Sequence, residues 1–402
     1  MILINPQNQI QDSTPQVYSG LEVAINDHLD TLKGRPLGLL ANQASVDSRY
    51  QHALDLFDSF LPGAIKAVFS PQHGWAGEKQ DNMIESSDSL TQDGRPLYSL
   101  YGQTRKPSPE QFNGLSALLV DLPDVGVRVY TFAQTLFYAM QTASVTGTEI
   151  IVLDRPNPIG GLAMEGNILD DDCLSFVGLH PIPMRHGLTL GELAIFMASK
   201  MTSPPPITVI PCRGWSRWMY FKDTNLPWVL PSPNLPTPET AMIYPGQVLW
   251  EGTNLSEGRG TTKPFHLVGA PYIAPQVLAG ELKSLDLPGV VFRPTYFQPT
   301  FNKWAGQVCG GLEIHPTSRE MKPYLTSLSI LEKVLKLFNQ DFRLKDPPYE
   351  YEWRRRPIDL ILGRRSIFDD LAKGVSAQEI CSKFDKELKT YQKTVEQIYL
   401  YH

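Results

Sequence analysis

Four short apolar runs in the first 160 residues each end in a cluster of polar, turn-forming residues. Residues 36–45 (PLGLLANQAS), 65–77 (IKAVFSPQHGWAG), 115–128 (LSALLVDLPDVGVR) and 148–161 (TEIIVLDRPNPIGG) share this pattern. The apolar parts are too short for helices, are rich in Val, Leu and Ile, and do not alternate. They predict strands buried on both faces of a parallel sheet. Helical spacing predicts helices over 21–32, 51–60 and 131–143, and another following Gly187. Strand and helix therefore alternate as in right-handed βαβ crossovers. Ligands of such sheets bind beyond the carboxyl ends of the strands. Asn42, His73, Asp121, Asp124, Asp154, Arg155 and Asn157 are accordingly expected to gather at one edge.

The run SPPP at 203–206 interrupts the pattern, because consecutive prolines hold a stiff, extended backbone. It predicts a boundary between an α/β unit over 17–202 and a smaller α+β unit over 207–402. In the second unit, 207–215, 290–300 and 311–317 read as strands, and 275–285, 324–338 and 377–391 as helices. The Pro- and Gly-rich stretch 224–271 predicts loops with little regular structure. Loops this long are usually functional or disordered, and Tyr244, Trp250 and Phe265 argue against disorder. Asn234, Glu251, Asn254, Glu257, Arg259 and Thr261 suit hydrogen bonding to a polyol or sugar amide, with Trp250 as a face for a sugar ring. The plainer reading is a structural loop packing the domain interface.

A chain of 402 residues is long for one core, which also favours two domains. A net charge of −6 gives no reason to expect nucleic acid or an anionic membrane as partner. The four cysteines lie far apart and the histidines lack metal-ligand spacing, so neither a metal nor a disulfide framework is expected. Without GxGxxG after the first strand or GxxxxGK[ST], nucleotide cofactors lose their main support; no cofactor is expected. HExxH and GxSxG are absent too. No run approaches the roughly 18 apolar residues of a membrane span, and the N-terminus does not read as a signal peptide. Residues 1–16 read as a loose arm, and a cytoplasmic location is expected. Oligomeric state is left open.

Candidate chemistry sits in the polar turns. His73 is followed by Gly74 and Gly77, which permit a tight loop, with Glu78 and Glu85 nearby. A carboxyl group here becomes a general acid if a dry cleft raises its pKa. Asp121, Asp124, Arg128 and Tyr130 occupy one ten-residue stretch. Arg128 either holds a carboxylate ligand or pins the loop through an acid. Thr189 and Glu192 read as a helix cap.

Taken in order, FSPQHGWAGEKQDN, LPDVGVRVYTF, VLDRPNPIGG, SFVGLHPIPMRHGLTLGELA, SPNLPT and YPGQVLWEGTNLSEGRGTTKPFHLVGAP closely resemble the DUF1343 family, which includes exo-β-N-acetylmuramidases of the NamZ type. The resemblance implies a Rossmann-like domain, an auxiliary domain and an active site in the cleft between them. It implies hydrolytic release of N-acetylmuramic acid from the non-reducing end of cell-wall fragments, so the expected partner is a muramic-acid-containing glycan or muropeptide. Many members carry Glu where this chain has Gln72. The acid role is therefore expected to pass to Glu78, supported by His73, with Asp124 or Glu257 as second carboxylate. Arg128 or Arg259 is expected to hold the lactyl carboxylate. Asn42, Gln72, Tyr130, Asn157, Asn234, Asn254 and Thr261 complete the expected binding set. A non-catalytic wall-fragment-binding protein using the same cleft is the alternative.

Overall fold

The four apolar runs form adjacent strands of a single sheet in the computed structural model, which describes residues 16–402 except Asn82. The reading of residues 1–15 lies outside the described part. The strands are β1 (Leu37–Ala41), β2 (Ile65–Ser70), β3 (Ser89–Leu90), β4 (Pro96–Ser99), β5 (Ala117–Asp121), β6 (Glu149–Leu153) and β7 (Ile207–Ile210). They are arranged β3-β4-β2-β1-β5-β6-β7, and every neighbouring pair is parallel except β3 with β4. Every residue of β1 and β5 is buried, as unbroken apolar runs require. Helices Ala53–Phe60, Phe132–Thr146 and Leu190–Ala198 make the crossovers from β1 to β2, β5 to β6 and β6 to β7. A capping box of Thr189 and Glu192 starts the last of these. The expected helix over 21–32 is broken at His28 into Gly20–Asp27 and Leu29–Leu32. The sheet's winding changes direction between β1 and β5, so their carboxyl ends flank a crevice.

The strand after the proline run belongs with the first sheet: Ile207–Ile210 pairs in register with Ile150–Leu153. The prolines therefore lead into an edge strand of the first unit. The stretch expected to be loops contains a helix, Pro238–Gln247, capped by Thr237 with proline at its first position. The second unit is a three-stranded antiparallel sheet, β8 (Leu267–Ala270), β9 (Val290–Phe297) and β10 (Cys309–Pro316), in the order β8-β10-β9. Helices Pro275–Lys283 and Pro323–Leu337 accompany it. One buried apolar cluster runs through both units, from Phe69 and Leu136 to Trp250, Leu312 and Leu331. Trp250 is fully buried in it, so it is core and not a sugar platform.

The C-terminus returns to the first unit. The Tyr401 hydroxyl donates to Asp154 Oδ2 at 2.6 Å and accepts from the Cys212 amide at 2.9 Å. Asp154 also receives the Thr189 hydroxyl and the Gly191 amide. Burial nevertheless raises its pKa to about 6. No helix of the described residues is long and apolar enough to cross a membrane.

Candidate active site

A small hollow of about 40 Å³ lies where the loop after β2, the start of the Phe132–Thr146 helix and the second unit meet. Gln72, His73, Tyr130, Asn234 and Arg259 line it, joined by Glu251 and Glu350. The first five are all residues expected at the site.

Glu350 is the group that sequence reasoning missed. Its Oε2 accepts from the Tyr101 hydroxyl at 2.6 Å, and its Oε1 accepts from Gln72 Nε2 at 3.1 Å. Gln72 Oε1 in turn accepts from the Thr131 hydroxyl at 2.6 Å. Burial raises the Glu350 pKa to about 7; the Tyr101 and Gln72 hydrogen bonds pull it down, and the negative charge of Glu251 pushes it up. Glu350 and the adjacent Tyr351 both have positive φ, 46° and 66°. Two successive non-glycine residues in that region are uncommon, and such strain concentrates at functional sites. No motif announces Glu350. The only sequence signal is an acid between two tyrosines, far from the other site residues.

His73 also has positive φ, 73°. Its Nδ1 is 2.6 Å from the Lys79 carbonyl, which can only accept, so Nδ1 carries the proton and the neutral ring keeps its lone pair on Nε2. Burial lowers its pKa to about 4, and the Arg259 charge adds to this. Glu251 accepts from Arg259 Nη2 at 2.7 Å and from the Tyr349 hydroxyl at 2.8 Å. Arg259 lies near Glu257 as well, with Nε to Oε1 at 3.2 Å, and donates to the Gln80 carbonyl. Asn234 Nδ2 donates to that same carbonyl. The buried Tyr130 hydroxyl has Ser232 beside it but no well-formed hydrogen bond.

The other expected residues lie elsewhere. Glu78 is half exposed and pairs with Lys79 at 3.4 Å, outside the lining of the hollow. Asp124 accepts from the Gly126 amide and lines a neighbouring cavity with Arg155 and Trp228. Glu257 is neutralised by Lys303 at 2.6 Å as well as by Arg259; although burial opposes ionisation, these charges hold its pKa below the ordinary value. Arg128 is fully buried and donates to four backbone carbonyls, those of Asn167, Ile182, Ile361 and Leu362. It clamps three chain segments and has no donor left to offer a ligand carboxylate except Nε. Asn42 ties the end of β1 to the Pro231 carbonyl, and Asn157 donates to that of Leu188. Asn254 bonds Asp341, Tyr272 and Arg343 within the second unit, and the Thr261 hydroxyl closes a turn onto Gly258. Asp121 and Arg155 neutralise each other. Among the described residues no group of three or more His, Cys, Asp and Glu side chains could hold a metal ion.

Two family models match the chain: exo-β-N-acetylmuramidase NamZ, N-terminal, over residues 37–239, and its C-terminal counterpart over 242–401. Their junction lies at the start of the helix Pro238–Gln247, beyond β7. The peptidoglycan β-N-acetylmuramidase NamZ of Bacillus subtilis is 40% identical over 390 residues, covering 96% of this chain and 92% of that protein. Two crystal structures of DUF1343 family proteins from Bacteroides fragilis are similar throughout. One has a TM-score of 0.87 at 30% identity and the other 0.75 at 27%, each covering 96% of this chain and 99% of its own.

Proposed function

Because the chain belongs to the exo-β-N-acetylmuramidase NamZ family, we propose that it hydrolyses the bond between a terminal N-acetylmuramic acid and the rest of a cell-wall glycan. Glu350 is the general acid. Its pKa of about 7 leaves it about half protonated at neutrality and mostly protonated below, able to give its proton to the departing glycosidic oxygen. His73 Nε2 is the base that takes a proton from the attacking water. Glu251, held by Arg259 and Tyr349, offers negative charge to the oxocarbenium-like centre. The observation that carries this reading is Glu350 and His73 on one hollow, the first with its pKa raised to about 7 and the second neutral with a free lone pair on Nε2.

Gln72, where many members of the family carry Glu, hydrogen-bonds the Glu350 carboxyl group. The 40% identity to a peptidoglycan β-N-acetylmuramidase favours hydrolysis over the silent binding protein. The hollow is far smaller than the roughly 300 Å³ or more of ordinary small-molecule sites. Entry of a sugar therefore requires the segments that line the hollow to part. The test is turnover of a chromogenic N-acetylmuramide. Glu350→Gln is expected to lose about 10²–10⁴-fold in kcat, with muropeptide binding retained. Wild-type turnover by Glu350→Gln rules Glu350 out as the acid, and binding by the wild-type protein without sugar release restores the binding-protein reading.

A further inference from the structure

Both arginines expected to meet the substrate's carboxylate are already occupied, and so is the nearby Lys303. Arg259 faces Glu251 and Glu257, Lys303 faces Glu257, and Arg128 spends four donors on backbone carbonyls. Arg105 is different. Its guanidinium stacks on the Tyr351 ring, 3.7 Å from the centroid, with the Phe176 ring at 5.9 Å. Its buried Nη1 has no hydrogen-bond partner among the described residues. Tyr101, the donor to Glu350, packs edge-on against the same Tyr351 ring at 5.6 Å and lies 6.0 Å from Phe176. An aromatic box thus fixes an unspent guanidinium on the ring of Tyr351, the residue after Glu350, just outside the lining of the hollow. Its charge reaches that carboxyl and lowers its pKa.

A stacked guanidinium is pre-organised, weakly hydrated and shaped for bidentate carboxylate recognition. Leaving its buried donor unmade has a cost that a ligand oxygen removes. Muramic acid differs from N-acetylglucosamine by a lactyl ether that ends in a carboxylate. We propose that Arg105 receives this lactyl carboxylate and is the specificity-determining residue for muramic acid. The proposal rests on the muramidase reading of the hollow.

Titration calorimetry on the full chain tests it with three ligands: N-acetylmuramic acid, its lactyl methylamide, and N-acetylmuramoyl-L-alanine, whose carboxylate sits one residue further out. The free acid is expected to bind about tenfold or more tightly than either amide. Arg105→Met abolishes that preference without weakening the amides, and Arg105→Lys keeps part of it. Equal weakening of all three ligands by Arg105→Met, or an undiminished preference for the free acid, overturns the assignment. Equal affinity of the wild-type protein for muramoyl-alanine and the free acid does so as well, since it makes a peptide carboxylate the ligand. Binding preference does not depend on turnover. An active Glu350→Gln would therefore remove the acid assignment while leaving the Arg105 result to be judged on its own.

Discussion

At the scale of single residues, Glu350 and His73 define a pH window. Glu350 works protonated, and protonation is lost as pH rises through about 7. His73 works neutral, and neutrality is lost as pH falls through about 4. A plot of kcat/KM against pH is expected to be bell-shaped between these limits, with His73→Ala lowering the plateau about 100-fold or more. The same shift bears on stability. A carboxyl whose folded pKa is raised loses stability as pH climbs from its unfolded value of 4.5 to about 7. Glu350→Gln removes that penalty and is expected to unfold at higher urea than wild type at pH 8, by up to about 3 kcal/mol, with little gain at pH 4. Gln72→Glu sets a second carboxyl against the first, so the alkaline limb of its rate profile is expected to move upward. Arg128→Met strands four carbonyls and is expected to cost about 3–5 kcal/mol in urea unfolding. His73, Gln72, Tyr130, Asn234 and Arg259 were legible because each sits in a polar turn beside a strand end or in the long loop. Glu350 was not, because its environment is assembled from Tyr101, Gln72 and Glu251, none of them near it in sequence. Arg128 was misread because a guanidinium serves a ligand or a set of carbonyls equally well, and only packing decides.

At the scale of elements, the unbroken apolar runs named the four central strands because burial on both faces leaves no polar positions. β3 and β4 escaped notice: they are short, at the sheet's margin, and largely unburied. The helix Pro238–Gln247 was hidden by its own Pro245 and Gly246. Gly246 is there because the helix Pro323–Leu337 presses against it; a β-carbon at 246 would lie 1.9 Å from the Pro323 carbonyl oxygen. Gly246→Ala is expected to force the two helices apart and to lower stability by about 1–3 kcal/mol in urea unfolding. That helix leads directly into the 3₁₀ turn Val248–Gly252, which carries Glu251, so its activity should fall as well.

At the scale of the molecule, the two units were legible as a change from strand–helix alternation to loops, but the seam was not. Prolines mark stiffness, and here the stiff piece merely precedes β7. The tail was equally illegible, since nothing in YLYH says which carboxylate its tyrosine seeks. Tyr401→Phe removes a donor from Asp154, whose pKa already stands at about 6, and so raises that value further. Its stability deficit is expected to widen as pH rises from 5 to 8, a comparison that urea unfolding at the two values would make.

That tail has a consequence for how the protein comes into being. Synthesis runs from the N-terminus, so the first sheet emerges from the ribosome long before the tyrosine that satisfies Asp154. The early-made half must wait, its anchoring acid held by Thr189 and Gly191 without the tyrosine, until residue 401 is added. Cutting the gene at the obvious midpoint would yield a fragment deprived of its own final stitch.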